Sequence, residues 1–294
     1  MRLGVIGQGF VGSAVSTGFR QVGFDVSTYD KYLHDLSTDR LSVLVEKSDI
    51  IFVCVPTPSD AKRHGACDTS IVESVLDEIA ESIRSSSSDG TKVIVIKSTI
   101  PPGTTEMLQT RIGELCDVVF NPEFLNARSA LQDFVTQDHV IIGGDPLACE
   151  RVGQLYTSLV PGARIECTSA CVAETVKYVK NCFFATKVSF FNEMYQICNK
   201  LGISYDEMIE LAKLDDRVGW EHTRVPGPSL GAGPCVDRRM LGFGGVCLSK
   251  DIQAFQVLAR QLGIDPKVMN AAWEKNLEVR PERDWEYLSG CVTN

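Results

Sequence analysis

One cysteine stands in a setting that favours chemistry. In Gly242-Phe-Gly-Gly-Val-Cys247-Leu-Ser-Lys-Asp251 the thiol lies between a glycine-rich approach and a helix start, with Lys250 and Asp251 one turn on. A helix N-terminus and a nearby cation lower a thiol pKa and favour the nucleophilic thiolate. The other cysteines, among them Cys54 inside a strand and Cys182 in a long helix, read as small apolar residues. Lys177 and Asn181 are four residues apart on that helix and stack on one face, which Glu174 shares. Such side chains are expensive to bury without partners, so they suit the lining of a cleft; the plain alternative is a solvated stripe, which also describes Lys180 and Lys187. Lys97-Ser-Thr99-Ile-Pro-Pro-Gly103 and Asn121-Pro-Glu-Phe-Leu125 each follow a strand end, where an open α/β sheet meets its ligand, so Thr99 and Glu123 are candidate substrate contacts. Either residue alone reads equally well as a cap or turn.

A second signature is Gly7-Gln-Gly-Phe-Val-Gly12, which follows the first strand and opens a helix, with Asp30 ending the second strand. Gly7, Gly9 and Gly12 suit a tight turn, close approach of a pyrophosphate and helix packing, and Asp30 suits a ribose 2′-hydroxyl, which favours NAD over NADP. On this motif alone FAD or another nucleotide stays open.

The elements that must position these residues are legible as alternation. Short apolar runs at Leu3 to Ile6, Val26 to Tyr29, Ile50 to Val55, Val93 to Ile96, Val118 to Phe120 and Val140 to Ile142 predict a doubly wound parallel sheet. Helices are expected around 11 to 22, 70 to 85 and 104 to 115. From Thr168 to Leu201 there is neither Gly nor Pro, which predicts one long, largely buried helix capped by Thr168 or Ser169 and closed at Gly202. Shorter helices are expected at Asp206 to Lys213, Asp251 to Leu262 and Pro266 to Leu277. Residues 226 to 245 form a loop, and a polar tail ends the chain. The fold class is therefore α/β, with a Rossmann-type domain over 1–165 and an all-α domain over 166–294.

With 294 residues and 44% hydrophobic content, the chain has ample apolar material for such a core. A net charge of −9 argues against broad electrostatic capture of nucleic acid or anionic membrane, so an anionic ligand needs a local site. No basic leader precedes the first strand and no apolar run is long enough to span a bilayer, so a cytoplasmic location is expected. The cysteines lack CxxC pairs and the four histidines are dispersed, so neither a metal site nor a disulfide framework is expected.

Taken together, GQGFVG at 7, VPTP at 55, KSTIPPGTT at 97, NPEFL at 121, ETVKYVKNCFFATKVSFFNE at 174, DDRVG at 215 and GFGGVCLSKD at 242 resemble the UDP-glucose/GDP-mannose dehydrogenase family. Phe124 places the resemblance nearest its UDP-glucose branch. The resemblance implies oxidation of the C6 alcohol of UDP-glucose to a carboxylate with two NAD+ in succession. It makes Cys247 the nucleophile that forms a thiohemiacetal and then a thioester. Lys177, Asn181 and an Asp251-held water then serve the first oxidation, while Glu123 and Thr99 serve hydrolysis. It further implies NAD contacts from Phe10, Val11, Val55, Pro56, Thr57, Ser98, Thr99 and Lys250. The implied substrate contacts come from Glu123, Phe124, Leu125, Lys177, Asn181, Phe243 and Gly244, and from Arg217 reaching across a homodimer.

Two departures stand out. Ala127 replaces an acidic residue that the family commonly carries four positions after the NPEF glutamate. Family members also usually continue for about another domain's length with a C-terminal nucleotide-sugar-binding domain. The chain is thus expected to be a short form, with Arg238 and Arg239 supplying some phosphate contacts. The alternatives are a dehydrogenase of another nucleotide sugar such as GDP-mannose, a non-catalytic NAD-binding subunit, and a β-hydroxyacid dehydrogenase that needs no nucleophilic cysteine.

Overall fold

The computed structural model describes residues 1–86, 91–227 and 241–288. Arg238 and Arg239 lie outside them. Contacts divide the chain into two units, Met1–Thr57 with Thr69–Lys177, and Pro58–Asp68 with Tyr178–Asn294.

The first unit is built on strands β1 (Arg2–Ile6), β2 (Asp25–Tyr29) and β3 (Ile50–Val53). The β4 (Ser59–Asp60) and β5 (Ala66–Cys67) strands form an antiparallel hairpin that belongs to the second unit. Strands β6 (Lys92–Ile96), β7 (Cys116–Phe120), β8 (His139–Gly143) and β9 (Arg164–Thr168) complete one seven-stranded sheet, ordered β2-β1-β3-β6-β7-β8-β9. Every ladder in it is parallel except the single Phe120–Gly143 pairing of β7 with β8. β3 and β6 are buried throughout, which is why they read as unbroken Val/Ile runs. The edge strand β9 is mostly exposed, has no such run, and escaped the sequence reading.

The strands are linked by α1 (Phe10–Gln21), α2 (Leu41–Lys47), α3 (Ser70–Ser85), α4 (Thr104–Ile112), α5 (Ala130–Thr136) and α6 (Pro146–Leu159). The reading anticipated α1, α3 and α4 but not α2, α5 or α6. For α6 a local signal existed: the Asp145 carboxylate accepts from the backbone N–H groups of Leu147 and Ala148, and Pro146 occupies the first turn.

The long helix α7 covers Ala170–Leu201, with the Ser169 hydroxyl accepting from Val172 N–H and Gly202 (φ +69°) following its end. It differs from the expected largely buried helix, because Val179, Phe183, Phe190, Ile197 and Leu201 are all exposed. The apolar residues on more than one face therefore do not all enter this chain's own core. In the second unit α8 (Tyr205–Ala212), α9 (Cys247–Gln261) and α10 (Lys267–Val279) follow. α9 starts four residues earlier than expected, which makes Cys247 its first residue. The segment after α10 is also more than a polar tail: Arg280 and Trp285 are buried, and the Trp285 ring packs 5.2 Å from that of Trp273.

Near its start α7 also organises the first unit. The fully buried Glu174 carboxylate accepts from Gly103 N–H (2.6 Å), Thr105 N–H (2.8 Å) and the Thr105 hydroxyl (2.6 Å), and so caps α4 from another helix. Burial raises its carboxyl pKa despite these bonds. Glu174→Ala strands all three donors in the interior, and the expected loss is about 2–3 kcal/mol in urea unfolding, since hydrogen bonds to charged groups fall in that range. A change below about 0.5 kcal/mol, the ordinary scatter for surface positions, would show the cap to be dispensable.

Candidate active site

The glycine-rich turn shows a division of labour among its three glycines. Gly7 adopts φ +85°, and a Cβ there would meet the Cys54 carbonyl oxygen at 2.6 Å; a Cβ on Gly12 would meet the Gly7 carbonyl oxygen at 1.8 Å. Both positions are closed by backbone. At Gly9 nothing lies within 4 Å, and Gly9 is the N-cap of α1 with no side chain bonding the helix's first amides. That leaves uncapped N–H groups behind an unfilled approach, the arrangement a pyrophosphate needs. Asp30 closes the turn: its Oδ2 accepts from Gln8 N–H at 2.6 Å, and its Oδ1 from Tyr32 and Leu33 N–H at 2.9 Å each. Phe10 and Val11 open α1 beside the cradle. Val55, Pro56 and Thr57 follow β3, and the Ser98 hydroxyl fixes that segment by donating to Val55 O at 2.6 Å. These residues fit a dinucleotide.

A second cluster of the first unit forms around Glu123. Lys177 donates to Glu123 O (2.6 Å) and Oε1 (2.9 Å), and both side chains are buried. Glu123 Oε2 accepts from Leu125 N–H at 2.8 Å, and the Lys177 ammonium lies 5.7 Å from the Phe124 ring centroid. Burial pushes the Glu123 carboxyl up, but Lys177, then the Leu125 N–H and last Lys97 together outweigh it and hold its pKa below the usual value. Thr99 is buried in the loop after β6.

Lys97, which the sequence reading passed over, is buried in the same cluster. It donates to Asn121 Oδ1 (2.9 Å), Asn121 O (3.4 Å) and the Tyr156 hydroxyl (3.4 Å). Tyr156 in turn donates to Asn121 Oδ1 at 2.5 Å, and Asn121 Nδ2 to Ile141 O at 2.7 Å. The signal available was a Lys at the end of a strand buried on both faces, a position where a charge needs a reason.

In the second unit the residues around Cys247 are joined by Asp251. The buried Asp251 accepts from Lys250 Nζ on Oδ1 and from Asn181 Nδ2 on Oδ2, at 2.5 Å each. Burial opposes the Lys250 charge, but Asp251, with Cys67 and Cys247, raises its pKa above the ordinary value. The structure thus joins Asn181 to Lys250 and Asp251, and it joins Lys177 to Glu123. Cys54 and Cys182 are poor nucleophiles, because burial raises both thiol pKa values, that of Cys54 to about 12.

The glycine-rich approach to Cys247 is held by Asn276 of the last helix and by Arg280 and Asp284, which were expected in a polar tail. Asn276 Oδ1 accepts from Phe243 N–H at 2.7 Å and Asn276 Nδ2 donates to Phe243 O at 3.0 Å. Asp284 accepts from Gly245 N–H at 2.9 Å and pairs with Arg280. A Cβ on Gly244 would lie 2.3 Å from Arg280 Nη2, so the approach admits only glycine there without displacing that pair. Arg217 lies on the surface beyond α8, where Asp215 holds its guanidinium.

Comparison with known proteins gives two matches in order along the chain. Residues 34–160 match the NAD binding domain of the UDP-glucose/GDP-mannose dehydrogenase family, and residues 171–278 match that family's central domain. The chain is 34% identical to a UDP-glucose 6-dehydrogenase of Rickettsia prowazekii over 86% of its own length and 56% of the relative's. It is 29% identical to UDP-glucose 6-dehydrogenase AglM of Haloferax volcanii over 98% of its length and 72% of that protein's. Among solved structures, a UDP-glucose dehydrogenase of the archaeon Pyrobaculum islandicum superposes with a TM-score of 0.81 at 29% identity, covering 94% of this chain and 68% of that one. The chain therefore spans between about half and three quarters of these relatives.

The glycine geometry separates folding from binding. Gly9→Ala is expected to leave the melting temperature unchanged and weaken NAD+ binding at least tenfold in calorimetric titration, because the new methyl fills only the approach. Gly12→Ala is expected to lower the melting temperature, its Cβ having no space. Unchanged affinity in Gly9→Ala would place the dinucleotide elsewhere.

Proposed function

Because both domain matches occur in order along its length, the chain belongs to the UDP-glucose/GDP-mannose dehydrogenase family, and on that premise we propose that it oxidises the C6 alcohol of UDP-glucose to the carboxylate of UDP-glucuronate. The observation that carries this reading is Cys247 at the first residue of α9, on a glycine-built approach, beside the Asn181–Asp251–Lys250 cluster. A dehydrogenase that stopped at the aldehyde would need no such thiol.

NAD in the glycine cradle supplies the two-electron acceptor for each of two oxidations. In the first, the sugar hydroxyl loses its proton, and Lys177 and Asn181 stabilise the oxygen's developing charge. Lys177 serves this by exchanging its bond to Glu123 Oε1 for the substrate oxygen, which leaves that carboxylate ready for a second role. A water held by Asp251 relays the proton to solvent. The Cys247 thiolate then adds to the aldehyde carbon, forming the C–S bond of a thiohemiacetal and keeping the aldehyde from escaping. The second oxidation turns this adduct into a thioester. Glu123, assisted by Thr99, takes a proton from water; the hydroxide adds to the thioester carbon, the C–S bond breaks, and the departing Cys247 sulfur takes up the acid's remaining proton as the carboxylate forms.

We further propose a homodimer whose partner lies along α7. The exposed stripe of Val179, Phe183, Phe190, Ile197 and Leu201 supports it, since apolar side chains repeated on one helix face in water mark an interaction surface. The exposed Arg217 would then serve a neighbouring subunit's substrate. Among the described residues no helix is long and apolar enough to cross a membrane.

The test is stoichiometric. Purified protein given NAD+ and a panel of UDP- and GDP-sugars is expected to yield two NADH per UDP-glucose, and Cys247→Ala to yield no acid. Two NADH from a GDP-sugar alone would move the substrate to the GDP-mannose side of the family. One NADH per sugar would make it a simple alcohol dehydrogenase, and none a binding subunit. Undiminished acid formation by Cys247→Ala would remove the covalent scheme.

A further inference from the structure

The thiol, the general base and the dinucleotide cradle leave a buried charge beside Glu123 without a task. Lys97 is 4% exposed, yet among the described residues it forms no ion pair at hydrogen-bond distance. Its acceptors are neutral: the Asn121 side-chain and main-chain oxygens and the Tyr156 hydroxyl. The rings of Phe134 and Tyr156 lie 5.8 and 6.0 Å from its nitrogen. A mobile ammonium on a four-carbon stem has been fixed in place from several directions, and the residue it fixes, Asn121, begins the turn that carries Glu123.

Extending the proposed reaction and resting on it, we propose that Lys97 is a positioning residue that anchors the Asn121–Glu123 turn and keeps a standing positive charge behind Glu123, so that the base stays ionised when Lys177 leaves it for the substrate oxygen. The two lysines differ in how they are held. Lys177 is in an ion pair with the carboxylate and can trade it for another anion. Lys97 is held by neutral dipoles and has nothing to trade. When Lys177 disengages, burial would drive the Glu123 carboxyl to take up a proton, which would disable it as a base; the remaining cation opposes that.

The charged and titratable groups facing this pair are few. Glu123 meets Lys177 of α7, Lys97 after β6 and the Leu125 N–H of its own turn. Lys97 meets Glu123 and Lys177, with Cys54 after β3 and Tyr156 of α6. Burial lowers the Lys97 pKa to about 8, so its charge is present at neutral pH and disappears within a range where the protein can be studied.

Isotope-edited infrared titration of 13C-glutamate-labelled protein, with the Glu123 band assigned by its loss in Glu123→Gln, reads the coupling without turnover. The wild-type Glu123 carboxylate stretch is expected to show a second inflection near pH 8, where Lys97 loses its proton, and Lys97→Arg, which keeps its charge, is expected to abolish it. In the oxidation of UDP-glucose, the acid limb of the kcat profile reports Glu123 protonation. Lys97→Gln keeps a donor but removes the charge, which raises the Glu123 pKa, so that limb is expected to move up by at least one pH unit with KM little changed. Tyr156→Phe, which alters the network but no charge, is expected to leave it in place. No alkaline inflection of the wild-type Glu123 band that Lys97→Arg removes, or an equal shift of the limb in Lys97→Arg and Lys97→Gln, would overturn the proposal. The infrared result stands even if no sugar is oxidised, so failure of the proposed reaction and failure of this inference remain distinct.

Discussion

The constraint on which the rest depends is that α7 buries Glu174, Lys177 and Asn181 among its polar side chains, each less than 10% exposed. A charge or amide taken out of water must find partners, and an apolar helix offers none of its own. Each is satisfied by a segment distant in sequence: Glu174 by the first amides of α4, Lys177 by Glu123, and Asn181 by Asp251. These three bonds fix the loop carrying Thr99, the turn carrying the candidate base and the helix carrying the candidate nucleophile. Glu174 and Lys177 thus act within the first unit, and Asn181 within the second.

The cradle obeys a different rule. Its geometry comes from the absence of atoms: Gly7 and Gly12 are closed by backbone, while Gly9 faces unfilled space. This is why it was the most legible feature of the sequence. A turn that requires glycine at fixed offsets, following a buried strand and preceding a helix, is local, so spacing alone conveys it. The parallel strands were legible for a similar reason, since burial on both faces leaves a continuous apolar run that needs no knowledge of the partner strand.

What sequence reasoning missed depends on partners far along the chain. Lys97 looks like an ordinary strand-end lysine until Asn121 and Tyr156 are brought to it, 24 and 59 residues away. The segment after α10 looks polar and terminal, yet Asp284 holds Gly245 N–H across 39 residues and Arg280 fills the space that makes Gly244 necessary. The β4–β5 hairpin is two residues per strand, too short for a periodic signal, and it packs on α9 rather than joining the main sheet. The exposed stripe on α7 was misread as core because apolar character shows only that water is avoided, not which chain supplies the cover.

The distribution of charge completes the argument. The chain carries nine more acidic than basic residues, yet around Glu123 two ammonium groups act on one carboxylate. Such a local excess of positive charge survives burial because it is divided unequally. Lys97 is neutralised by dipoles that stay where they are, so its position does not answer to a ligand. Lys177 is neutralised by an ion, and an ion pair is one half of an exchange: an incoming anion of better geometry can replace the carboxylate without leaving either charge stranded. Two lysines held in the same way would both be locked or both be loose. Held differently, one can follow a reacting oxygen as it gains charge while the other keeps the displaced carboxylate from being neutralised, which is the condition for a single buried acid to serve as a base in the step that follows.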